Sequence, residues 1–133
     1  MIPAVVVDTN VASLVFKQQP GAEGYLRFMD GKECILSFMS LAELRRWPIA
    51  KQWGAFRQTK LEKYLESYSV SFCNDELCLI WAEVMERAER SGMPIGVADA
   101  WTAATAIHLG VPLLTHNLRH FAGVRDLQAI SYA

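Results

Sequence analysis

Residues Ala4-Val5-Val6-Val7 carry no polar side-chain atom, and three of the four are β-branched. A strand with one wet face alternates apolar and polar residues. An unbroken apolar run of this kind belongs to a strand covered on both faces, as parallel strands are. Covering both faces takes helices on either side, so these four residues already ask for a layered α/β chain.

The rest of the sequence supplies the parts. Cys34 to Met39 reads as a second buried strand, Val70 to Cys73 as a short one, and Leu113-Leu114-Thr115 as another, with Pro112 confined to its start. Gln128 to Ser131 adds a last strand. Between them, Thr9 or Asn10 caps a helix from Val11 to Lys17, and Ala22, Tyr25, Leu26 and Met29 mark a helix that stops at Gly31. Ser40 opens a short helix that ends before Pro48. Leu61, Tyr64, Leu65 and Tyr68 share one helical face, as do Leu77, Ile80, Trp81, Val84 and Ala88 behind an Asn74 cap. Val97 to Leu109 is a third long helix, closed by Gly110. The expected fold class is α/β, three layers with a central, mostly parallel sheet of four to five strands.

With 133 residues and no repeat, linker or low-complexity tract, residues 1–133 are expected to form one domain. A hydrophobic share of 52% excludes a disordered chain. No apolar run approaches the roughly 18 residues of a membrane span, and the start lacks a basic leader, so a cytoplasmic protein with no membrane partner is expected. Cys34, Cys73 and Cys78 form no CxxC pair and read as buried thiols of a reducing compartment. Thirteen Lys and Arg against fourteen Asp and Glu leave a net charge of −1, so any nucleic-acid binding must be local.

Three carboxylates are only half explained by local structure. Asp8 closes the first strand, where α/β sheets place their ligands, although it is also a good cap for the next helix. Glu43 completes a Ser40-x-x-Glu43 capping box, which leaves it free to face a cleft as well. Asp99 is the only charged side chain in a helix that is small or apolar on every face, Val97 to Ile107. Burying it unpaired would cost several kcal/mol, and the helix dipole returns only about 0.3–1 kcal/mol, so it needs a partner, a metal or a wet cleft. Thr115 and Asn117 sit past the end of a later strand, as Asp8 does, and add a hydroxyl and an amide. Converging carboxylates repel unless a cation neutralises them. An all-oxygen donor set points to Mg²⁺ or Mn²⁺ rather than zinc.

Four segments, in this order, resemble the PIN-domain ribonucleases, and in particular the VapC-type toxins of toxin–antitoxin pairs. They are Val5 to Asn10, Ser40 to Leu44, Pro94 to Ala100 and Leu113 to Phe121. The resemblance spans nearly the whole chain. It implies a PIN-like α/β/α fold, a Mg²⁺ or Mn²⁺ site on Asp8, Glu43 and Asp99, a homodimer, hydrolytic cleavage of RNA and inhibition by a cognate antitoxin. One departure stands out: many PIN domains carry a fourth acid near Asn117, and a neutral amide favours one tightly held ion over two.

On that pattern Asp8 and Asp99 would be ligands, Glu43 a ligand or the general base, and Thr115 and Asn117 supports behind them. Arg45 and Arg46 beside Glu43, and Arg119 and His120 after Asn117, are the candidates for RNA phosphate contacts. Two other enzyme classes fit less well. A haloacid-dehalogenase-type phosphotransferase wants a second Asp where Asn10 stands, and a receiver domain wants an acidic pair and a strand-end Lys. The non-enzyme alternative is a PIN-fold module that binds RNA or protein through its surface alone.

Overall fold

The computed structural model describes residues 2–133. Strand β1 (Ala4–Val7) is the middle of a five-stranded sheet, and its three valines are fully buried. Strands β2 (Glu33–Ser37) and β3 (Ser69–Ser71) lie to one side of it, β4 (Leu113–Leu114) and β5 (Ala129–Ile130) to the other. The order is β3-β2-β1-β4-β5 and every pairing is parallel, with Val6 opposite both Ile35 and Leu113.

Alternation along the strands divides the core into two layers. Val5, Val7, Leu36 and Leu114 pack with helices α1 (Thr9–Phe16), α2 (Ala22–Met29), α3 (Phe38–Ala50) and α4 (Ala55–Leu65). Val6, Ile35 and Leu113 turn the other way, onto α5 (Asp75–Arg90) and α6 (Val97–Leu109). This is the three-layer α/β/α arrangement expected from the sequence, with all five strands parallel. Gly110, at φ 66°, ends α6 in the left-handed region that favours glycine.

Several boundaries differ from expectation for identifiable reasons. Helix α1 starts at Thr9, because Asp8 rather than Thr9 or Asn10 is its cap. Strand β2 stops at Ser37, and α3 begins at Phe38 with Ser37 Oγ accepting from the Ser40 amide at 3.0 Å. The sequence reading has Ser40 open this helix; the cap is Ser37, the last residue of β2. Helix α3 also runs through Pro48 to Ala50 instead of ending before it. So near the C-terminus, the proline forfeits one bond, to the Leu44 carbonyl, and the chain turns away at Gln52, φ 53°.

The cysteines are a further correction. Cys34 is half-buried, but Cys73 and Cys78 are exposed, with their sulfurs 3.4 Å apart at the start of α5. No helix among the described residues is long and apolar enough to cross a membrane.

Candidate active site

Strands β1 and β4 are neighbours, yet the chain leads from β1 outward to β2 and β3, and from β4 outward to β5. Their carboxyl ends therefore flank the point where the sheet order reverses, the usual place for a ligand crevice. Asp8 stands at the end of β1 and Thr115 at the end of β4, and both are buried. Asp8 Oδ1 accepts from the Thr9 amide at 2.9 Å, and Oδ2 accepts from Thr115 Oγ1 at 2.7 Å. Burial pushes the Asp8 carboxyl up to about 6; the Thr115 hydrogen bond works against this, while negative charge on Asp99 and Glu43 adds to it.

Glu43, on α3, reaches across to α1, where Oε1 accepts from Thr9 Oγ1 at 2.7 Å. The Ser40 amide is already bound to Ser37, so the capping box read from Ser40-x-x-Glu43 does not form. Asp99 sits in the first turn of α6 with its side chain 30% exposed, and Oδ2 lies 3.2 Å from His120 Nδ1. The wet cleft and the partner its burial demanded are thus both present. One cleft of about 540 Å³ is lined by Asp8, Glu43, Asp99 and Asn117 together, with Arg46 and His120 also on its walls.

The profile of the PIN domain family matches residues 5–127. This chain belongs to the PIN domain family. Ribonuclease VapC1 of Haemophilus influenzae strain R2866 is 29% identical over 124 residues, covering 92% of each chain. Among solved structures, VapBC-1 from nontypeable H. influenzae superposes with a TM-score of 0.80 at 27% identity, over 97% of this chain and 98% of that one. VapBC2 from Rickettsia felis, bound to a DNA fragment from its promoter, gives 0.86 at 20% identity over 98% and 99%, a likeness of fold. The resemblance carried by the four sequence segments is borne out.

Within this PIN domain the other expected site residues are divided. Thr115 stands behind Asp8, and its Oγ1 also accepts from the Asn117 amide at 3.1 Å. Arg46 faces the cleft, whereas the neighbouring Arg45 is ion-paired with Glu62 of α4 and does not line it. Arg119 lines an adjoining depression with Asn117 and His120.

Three contacts had no counterpart in the sequence reading. Thr9 holds Glu43, Asn10 Oδ1 accepts from the His116 amide at 3.2 Å, and the Tyr25 hydroxyl meets His116 Nδ1 at 2.6 Å. Thr9 and Asn10 directly follow Asp8, which is a usable signal; nothing local marks Tyr25, 91 residues from its partner. Trp47 is half-buried against the core and also lines the cleft.

Among the described residues, no three His, Cys, Asp or Glu side chains already converge as an ion cage. Asp8 is drawn to Thr115, Glu43 to Thr9 and Asp99 to His120. The donor set nevertheless fits a hard divalent cation. It consists of carboxylate oxygens in one cleft, and at Asp8 the charges of the other two oppose ionisation, a cost that a cation between them would relieve.

Proposed function

We propose that this PIN domain is a Mg²⁺- or Mn²⁺-dependent endoribonuclease, the toxin of a type II toxin–antitoxin pair, acting in the cytoplasm. The observation that carries the reading is the meeting of Asp8, Glu43 and Asp99 in one cleft at the switch point of the sheet. The likeness to a VapC ribonuclease over 92% of both chains supports it, as does the likeness to VapBC-1.

Asp8, Glu43 and Asp99 would hold the ion. Bound there, a divalent cation supplies charge neutralisation at the phosphoryl oxygens and acidifies an attacking water. The chain's own groups do the rest. Asp8, fixed at both oxygens by Thr9 and Thr115, is presented without freedom to rotate. Glu43 is held at one oxygen by Thr9, which leaves the other to serve the ion. Asn117, beside Thr115, lines the cleft and adds a neutral polar group without further charge. Arg46, Arg119 and His120 are placed to meet phosphates entering the cleft. A homodimer bound by a cognate antitoxin completes the proposal.

The test is cleavage of total RNA by the purified chain, with Mn²⁺, with Mn²⁺ plus chelator, and with Asp99→Asn. Discrete fragments only from wild type with free Mn²⁺ are expected. Intact transfer, messenger and ribosomal RNA after incubation with folded, Mn²⁺-supplied wild type would favour the non-catalytic binding module instead.

A further inference from the structure

Four hydroxyls run in single file from beneath α6 to the Glu43 carboxylate. Thr102 Oγ1 is 3.3 Å from Ser37 Oγ, which is 3.2 Å from Ser40 Oγ. Ser40 Oγ is 2.9 Å from Thr9 Oγ1, which is 2.7 Å from Glu43 Oε1. Ser37, Ser40 and Thr102 are buried, at no more than 2% exposure. Interior polar groups need partners, but that need alone does not explain why they form one line ending on an acid.

Counting hydrogens shows which hydroxyl serves Glu43. A hydroxyl has one hydrogen to donate and two lone pairs to accept with, and an ionised carboxylate only accepts. Thr9 Oγ1 is therefore the donor to Glu43, and its hydrogen is shared with Ser40 Oγ, which accepts at the longer distance. Ser40 Oγ also accepts from Ser37 Oγ, whose own lone pairs take the Ser40 amide and the Thr102 hydroxyl. Thr9 thus supplies the O–H that reaches Glu43, and Ser40 backs it from the buried side. Bonds to an ionised acceptor are the short ones. The distances follow that order, from 3.3 Å at the buried end to 2.7 Å at the carboxylate.

The line also joins the three elements that carry the acids. Thr9 adjoins Asp8, Ser40 lies on α3 with Glu43, and Thr102 lies on α6 one turn beyond Asp99. Only Oε1 of Glu43 is engaged among the described residues, which leaves Oε2 for an ion. We propose that Thr9, Ser40, Ser37 and Thr102 are positioning residues that hold Glu43 aimed into the cleft, and so set the site's affinity for a divalent cation. The proposal rests on the reading of the cleft as a cation-dependent ribonuclease site.

Calorimetric titration of Mn²⁺ tests it, with wild type beside Thr9→Val, Thr9→Ser and Ser40→Ala, and with melting temperatures measured in parallel. Thr9→Val keeps the shape and loses the hydroxyl; a 10–100-fold weaker affinity is expected, with melting close to wild type. Thr9→Ser should restore binding to within about 3-fold, and Ser40→Ala should fall between, because Thr9 then loses the hydroxyl that backs it. Wild-type affinity in Thr9→Val, or equal loss in Thr9→Ser and Thr9→Val, overturns the positioning role alone. A folded wild type that binds no Mn²⁺ overturns the ribonuclease reading and the positioning role with it.

Discussion

Thr115 Oγ1 donates to Asp8 Oδ2 across 2.7 Å, joining the ends of two adjacent parallel strands from residues 107 apart in the chain. The bond opposes the desolvation that raises the Asp8 pKa, and it fixes Oδ2. Replacing Thr115 with Val removes the donor at almost constant volume. We expect Mn²⁺ affinity to drop 10–100-fold by calorimetry while the circular dichroism spectrum is retained. Undiminished affinity would show that the hydroxyl serves packing only.

The raised Asp8 pKa has a consequence for stability in cation-free buffer. Its folded value of about 6 exceeds the ordinary 3.8, so between those pH values the folded chain keeps a proton that the unfolded chain has released. Stability contributed by this group is therefore whole below pH 4, declines as pH rises to 6 and is level above. The loss is about 3 kcal/mol at most, at 1.36 kcal/mol per pH unit. Asp8→Asn removes the titration, so it should melt higher than wild type at pH 7.5 and alike near pH 4. A lower melting point for Asp8→Asn at pH 7.5 would contradict the assigned burial cost.

Two adjacent arginines should behave differently towards RNA. Arg46 lines the cleft, and Arg45 is turned to Glu62. Arg46→Ala should weaken binding of a labelled single-stranded RNA and reduce the slope of log K against log salt by about 0.7, the value for one phosphate contact. Arg45→Ala should leave that slope unchanged. Equal slopes for both variants would remove Arg46 from the phosphate path.

Pro48 offers a stability test away from the chemistry. Restoring an amide at position 48 lets the Leu44 carbonyl be satisfied within α3, while the unfolded chain gains some entropy. The balance predicts that Pro48→Ala stabilises the fold by about 1–2 kcal/mol in urea denaturation. A destabilised variant would mean that the ring's packing outweighs the missing bond.

The layered fold was readable because its strands are short, β-branched and apolar, and because Asn74 and Gly110 punctuate helices where expected. Asp8, Glu43 and Asp99 could be singled out for the same reason: a carboxylate is conspicuous in an apolar setting. What the sequence hid is long-range. Ser40-x-x-Glu43 has the form of a capping box, but strand β2 claims residues up to Ser37, and Thr9, 34 residues away, takes the glutamate. Asp99 meeting His120 and Arg45 meeting Glu62 are likewise decided by how helices pack, not by any local pattern. The exposed Cys73 and Cys78 follow from their place at the outer start of α5, where composition alone suggests burial.

The central claim is that the cleft carboxylates hold a divalent cation. Its most direct test is calorimetric titration of Mn²⁺ into purified wild type and into Asp99→Asn, both verified as folded. The account predicts saturable binding by wild type and its loss in Asp99→Asn. Heat of binding absent from folded wild type, or identical in the two proteins, would contradict it.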